Sequence, residues 1–299
     1  MSTATRGNPR VALVTCQELP DLEPDDQLLI EPLRARGVAV EVRAWDDRGV
    51  DWAGYDLVVL RSPWDYAPRR HEFLAWARTV PGLANPAPVV AWNTDKRYLD
   101  RLAAAGIPVV PTRWLAPTDP PWAAPSRGEY VVKPAISVGS LSTGRYDLAD
   151  PGQRRLALRH AARMQATGRV AMIQPYLSGV DTHGETALLF LGGRYSHAIR
   201  KGAMLNGPEV HVEGLYRPED IQPRQPSPAE LALAGKVLAV VPGGTHLLYA
   251  RVDLVPGPDG APLLIELELT EPSLFLGYAP DAPDRLADAI VARLGALRS

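Results

Sequence analysis

The sequence predicts a mixed fold, α/β in its first part and α+β in the remainder. Three features carry that expectation: apolar runs alternating with helical patterns before residue 94, a mostly β second half, and an acidic hairpin near the C-terminus. A chain of 299 residues, 46% hydrophobic and 22% charged, can bury a large core and divide into about two domains by length.

Residues 11–15 form a continuous apolar run that opens into the polar loop 17–26. The helical spacing of Leu28, Leu29 and Leu33 then continues to Gly37, a helix stop. Val38, Val40 and Val42 alternate as a second strand, and residues 57–60 make a third apolar run ending at Ser62-Pro63-Trp64. This order predicts a parallel sheet covered by helices. Ligands of such sheets sit beyond the carboxyl ends of the strands. The loops 15–21 and 61–66 are therefore candidate substrate walls, with Gln17, Glu18, Ser62 and Trp64 as contacts; the competing reading is that Trp64 and Tyr66 pack a loop onto their own domain. No dinucleotide glycine fingerprint and no Walker loop occurs.

Residues 95–106 are patterned as a helix. After the Pro-rich connection 117–125 come a strand at 130–133, a Gly/Ser loop, a helix over 151–167 and a strand at 170–174. Strands are expected at 186–191, 195–200, 247–255 and 262–269, with helices over 228–240 and 284–297.

The formal net charge of −2 and the lack of like-charge runs argue against nucleic acid or an anionic membrane as partner, which leaves small molecules. Neither a signal-type apolar core in the first ten residues nor a membrane-length apolar stretch is present, so a cytoplasmic protein is expected. Cys16, the single cysteine, is read as a small buried hydrophobe in preference to a catalytic thiol. The only lysines are Lys96, Lys133, Lys201 and Lys236, and a compact ammonium suits phosphate oxygens.

Two alternating runs flank Pro256-Gly257-Pro258-Asp259-Gly260, a hairpin signal. With Asp259-Gly260 as the tip, Asp253 faces Glu266 and Arg251 faces Glu268, all on one side, while Ala250, Val252, Leu254, Ile265, Leu267 and Leu269 form an apolar core side. Cross-strand Cβ atoms lie roughly 5 Å apart, so three carboxylates there need a cation. An all-oxygen set suits magnesium bridging nucleotide phosphates; the competing reading is a solvated acidic edge relieved by Arg251.

In their order and spacing, Tyr130-Val131-Val132-Lys133-Pro134, Gln174-Pro175-Tyr176-Leu177 and the pair Arg251-Val252-Asp253 with Glu266-Leu267-Glu268 resemble the ATP-grasp ligases. The resemblance implies an N-terminal parallel-sheet, Rossmann-like substrate lobe over 1–94, a central lobe over 95–176 and a C-terminal lobe with the metal site over 177–299, the last two clamping ATP. It implies ATP and magnesium, or manganese in its place, and a small carboxylate substrate; a homo-oligomer is compatible with it. Lys96 and Lys133 match the lysines that grip the phosphates, and Ser137, Gly139 and Ser140 the loop that covers them. Gln174 matches the adenine-amino acceptor, Pro175, Tyr176 and Leu177 the backbone around the ring, and Glu185 the ribose binder, with Asp181 as competitor. Arg200 matches the terminal-phosphate contact, which Lys201 either assists or leaves for solvent. Asp253, Glu266 and Glu268 match the metal ligands, although Glu268 replaces the family's usual asparagine.

Such enzymes convert a carboxylate to an acyl phosphate, which a nitrogen then attacks; Lys96, Lys133, Arg200 and Arg251 would stabilise the developing charge. Cys16-Gln17-Glu18-Leu19-Pro20-Asp21 and Glu268-Leu269-Thr270-Glu271-Pro272-Ser273-Leu274-Phe275 are similar to segments of the family's cyclo-ligases of O-ureido-D-serine. That likeness adds Ser273 to the substrate contacts and implies ring closure to D-cycloserine. An intermolecular amide ligase and a non-catalytic nucleotide-binding regulator are the alternatives.

Overall fold

Apolar runs without a polar face become central strands of a covered sheet. The structure, a computed structural model, describes residues 7–209, 214–215 and 219–298. Its first sheet is built from β1 (Arg10–Thr15), β2 (Ala39–Ala44), β3 (Leu57–Ser62) and β4 (Leu83–Ala84), all parallel, in the order β2-β1-β3-β4. The helical pattern after β1 folds as two short helices, Pro24–Gln27 and Ile30–Ala35. The first begins early because Glu23 caps the N–H groups of Asp25 and Asp26, with Pro24 in the first turn.

The pattern at 95–106 folds as a shorter helix, with another, unexpected one before it. A helix Ala87–Asn93 precedes the turn 94–97, and Tyr98–Ala104 follows it. Two hydrogen bonds hold the turn: Lys96 N–H donates to Ala135 O at 2.9 Å, and Asp95 accepts from Arg97 N–H at 3.1 Å. The second sheet contains β5 (Arg113–Leu115), β6 (Glu129–Pro134), β7 (Gly144–Asp147) and β8 (Ala171–Pro175), antiparallel in the order β5-β8-β6-β7. The helix Pro151–Ala166 buries Ala157, Ala161 and Met164 against it.

The third sheet consists of β9 (Glu185–Leu191), β10 (Arg194–Lys201), β11 (Ile221–Arg224), β12 (Tyr249–Pro256) and β13 (Pro262–Glu268), antiparallel in the order β11-β10-β9-β12-β13. One face packs Leu188, Val252, Leu254 and Leu267 against the helix Pro228–Val240. The other face is apolar at one end, where Ala187, Leu189 and Ile199 join a cluster with Leu13 of the first sheet and Ile290 of the closing helix Ala282–Arg298. Its other end is charged, and that end forms the site. No helix among the described residues is long and apolar enough to cross a membrane.

In the hairpin, Arg251 pairs with Glu268 and Asp253 with Glu266, as expected. The tip is not a two-residue turn. Pro256 pairs with Pro262, and the loop 257–261 is closed by Gly257 N–H to Ala261 O (2.7 Å) and Gly260 N–H to Gly257 O (2.9 Å). A bulge then leaves Ile265 without a partner and restores the register one step before the carboxylates. Ile265 consequently joins the lining of the cleft, whereas alternation alone assigns it to the core.

Candidate active site

Strand alternation brings Lys133 of β6, Glu185 of β9, Lys201 of β10, Arg251 of β12 and Glu266 and Glu268 of β13 to one cleft. Lys201 Nζ lies 2.8 Å from Glu185 and 2.7 Å from Asp253. Arg251 donates to both oxygens of Asp253 at 2.9 Å and also to Glu268. Glu266 receives Lys96 at 3.1 Å and Lys133 at 3.7 Å, and Lys96 further donates to the Ser137 carbonyl at 2.8 Å.

Buried charges persist when each has a counter-charge. Burial pushes Asp253 up, but Arg251 and Lys201 outweigh it and hold this carboxyl, only 1% exposed, well below the carboxylate range. Burial acts likewise on Glu266, where Lys96 and Lys133 prevail and lower it to about 2. Among the described residues no three His, Cys, Asp or Glu side chains are gathered as metal ligands. The register does set Asp253, Glu266 and Glu268 on one face, but convergence on a single point is not seen, because each carboxylate turns to its own lysine or arginine. Glu266 and Glu268 line the cleft; both oxygens of Asp253 are occupied by Arg251 and Lys201.

Farther along the cleft stand Gln174, Pro175, Tyr176 and Leu177, with Val131, Leu205 and Leu267 as apolar lining. Thr112 Oγ1 donates to Val110 O at 2.8 Å and so accepts from Gln174 Nε2 at 3.0 Å. That relay orients the amide and leaves the Gln174 oxygen as its free acceptor. Glu185 is the acid of this wall; Asp181 is taken by Tyr176 Oη at 2.6 Å and by Arg145 at 3.1 Å. Ser137, Gly139 and Ser140 also line the cleft, and Gly139 and Ser140 both take positive φ, +62° and +57°.

Four expected contacts lie elsewhere. Arg200 follows the opposite phase of β10 from Lys201, donates to His183 O at 2.9 Å and is outside the cleft, whereas Lys201 lines it. Gln17 and Glu18 are exposed, and Gln17 donates to Asp46 at 3.3 Å. Ser62 is fully buried because a register shift pairs it with Thr15, whose Oγ1 is 3.2 Å from its own. Arg200→Ala should therefore leave ADP formation within about threefold of the parent in a coupled assay. A hundredfold loss would restore Arg200 to the site.

Trp64 and Ser273 do line the cleft, joined by Tyr66, the last residue of the expected wall 61–66, and by Glu271, to which the sequence assigned no role of its own. Tyr66 Oη donates to Glu271 Oε1 at 2.7 Å. The segment carrying Glu271 is fixed through successive carbonyls: Thr270 O accepts from Tyr249 Oη (3.0 Å), Glu271 O from Trp64 Nε1 (3.0 Å), Pro272 O from Arg61 Nη2 (2.5 Å) and Ser273 O from Arg251 Nη1 (3.2 Å).

A family model described as "D-cycloserine synthetase DcsG, N-terminal domain" matches residues 11–86. The chain is 43% identical to the cycloserine biosynthesis protein DcsG of Streptomyces lavendulae over 301 residues, 95% of this chain and 98% of that protein. It is similar to the crystal structure of D-cycloserine synthetase DcsG, with a TM-score of 0.85 and 40% identity, covering 95% of this chain and 99% of the other. A likeness in fold alone, TM-score 0.63 at 19% identity over 98% of this chain and all (100%) of the other, links it to ATP-grasp ligase PsnB complexed with minimal precursor, Mg and ADP.

Proposed function

The chain belongs to the D-cycloserine synthetase family of ATP-grasp ligases, and from that premise we propose that it activates O-ureido-D-serine with ATP and closes it to D-cycloserine. It is an ATP-dependent ligase; the substrate and the steps below are the proposal. The terminal phosphoryl group passes from ATP to a carboxylate oxygen, giving ADP and an acyl phosphate. The ureido nitrogen bound to oxygen then attacks the acyl carbon and expels phosphate. Hydrolysis of the carbamoyl group releases carbon dioxide and ammonia.

One observation carries the nucleotide reading: Lys96 and Lys133 share Glu266 beside the loop that contains Ser137 and Gly139. Phosphate oxygens would take over both lysines, and Glu266 would lose its counter-charges. Glu266 and Glu268, both hard oxygen donors lining the cleft, then fit magnesium or manganese, as the Mg and ADP of the PsnB complex also support. Such an ion would neutralise phosphate charge. Asp253 serves instead to hold Arg251 and Lys201 in place. Gln174 and the backbone of 175–177 would seat the adenine, and Glu185 the ribose, while Arg251 would stand at the carboxylate being activated.

Incubation with ATP, magnesium and O-ureido-D-serine alone should yield D-cycloserine with one ADP and one phosphate per product, measured by chromatography. ADP release only from a mixture of two amino acids would replace the cyclo-ligase with an intermolecular ligase. Tight ATP binding without ADP release from any carboxylate would point to a regulator.

A further inference from the structure

Asp253, Glu185, Glu266 and Glu268 each meet a lysine or arginine. Glu271 does not. Among the described residues its carboxylate makes no ion pair, although it is only 9% exposed and lines the same cleft. Tyr66 Oη holds one of its oxygens, and Trp64 Nε1 holds its backbone carbonyl. Both donors belong to the loop after β3, so the carboxylate is fixed before any ligand arrives and ordering costs little at binding. A carboxylate buried without an ion-pair partner calls for a proton or a cation. Burial, with Glu268 adding its charge, outweighs the Tyr66 hydrogen bond and the more distant Lys96 and raises the Glu271 carboxyl to about 8.

The surroundings indicate which cation. Arg251, the guanidinium of this end of the cleft, donates to Ser273 O on the same fixed segment. A cationic and an anionic group are thus tied to one short stretch of chain, a polarity that complements the carboxylate and ammonium of an amino acid. We propose that Glu271, held by Tyr66, anchors the ammonium group of the substrate and so restricts the enzyme to carboxylates bearing a free amine. The inference rests on the amino-acid substrate proposed above and assigns its amine a partner.

Steady-state ADP release tests it, with the parent and Glu271→Gln each given O-ureido-D-serine and the analogue that carries hydrogen in place of its ammonium. Glu271→Gln keeps an oxygen for the Tyr66 hydroxyl, which favours folding. The expected result is a KM for O-ureido-D-serine raised roughly 10²-fold, the usual scale for removing one partner of a desolvated charge pair, with the KM for ATP unchanged. Both enzymes should handle the analogue alike. An equal loss on both substrates would overturn the anchor and leave Glu271 a structural residue. Tyr66→Phe, which loosens the carboxylate without removing it, should give a smaller rise with the same dependence on the ammonium, and it carries the comparison if Glu271→Gln fails to fold. If the parent ignores O-ureido-D-serine, the substrate assignment alone fails. The comparison is then made on whichever carboxylate releases ADP, and a preferred substrate without an amine overturns the anchor.

Discussion

Lys133→Ala is expected to cut ADP formation by about 10²–10³-fold, the scale of losing one preorganised charge at a phosphoryl-transfer site. Lys133 sits on β6, its side chain 11% exposed, and shares Glu266 with Lys96. Alanine removes a point charge that no neighbour replaces, because Lys96, the other lysine on Glu266, is already engaged by the phosphates in the proposed complex. Lys236→Ala is the control, since Lys236 lies exposed on the helix Pro228–Val240. Initial rates at saturating ATP separate the two variants. Equal losses would mean that the scarcity of lysine says nothing about phosphate binding.

Glu266→Gln should abolish ADP formation yet tighten magnesium-free ATP binding, by about tenfold, as Lys96 and Lys133 are released to the phosphates. Removing the charge relieves repulsion with Asp253 and Glu268, but it also strands two lysines. The second effect is the larger, since burial penalises an ammonium without a partner. The free protein should therefore melt a few degrees lower, and ATP should restore the loss. Calorimetric titration with and without a chelator checks this. Weaker binding in the chelated sample would show that Glu266 does not compete with phosphate for the lysines.

Periodicity made the central strands and the charged side of the hairpin legible in the sequence. The register at Asp253 and Glu266 came out correctly although the assumed tip was wrong, because the longer loop and the bulge at Ile265 offset each other. The strands β5, β7 and β11, three or four residues each, are too short to alternate. At β10 no phase is legible, because Tyr195, His197 and Ile199 alternating with Ser196 and Ala198 mark neither side as the core and a bulge shifts the register between Tyr195 and His197; only the resemblance placed Arg200 in the site. The strand-end rule gave the correct end of the first sheet but only some of the residues: Trp64 reaches the cleft as expected, whereas Ser62 is drawn under Thr15. Glu271 lies past the last alternating position, and its partner Tyr66 is 205 residues away, a separation that no local pattern encodes.

The carbonyls of 270–273 also bear on how the chain is made. Arg61, fully buried beside Asp26 at 2.9 Å, finds Pro272 O only 211 residues later. Asp25 waits for the N–H groups of Leu276 and Gly277, and Arg36 for Asp284 and Asp288. Leu13 and Leu29 share their apolar cluster with Leu286 and Ile290. On a ribosome, which releases residues in sequence order, the parallel sheet emerges before residues 272–290 and until then keeps an uncovered apolar side and a guanidinium with one acceptor missing. The parallel sheet is therefore made well before it can be completed, and a fragment ending near residue 86 would lack the atoms that close it.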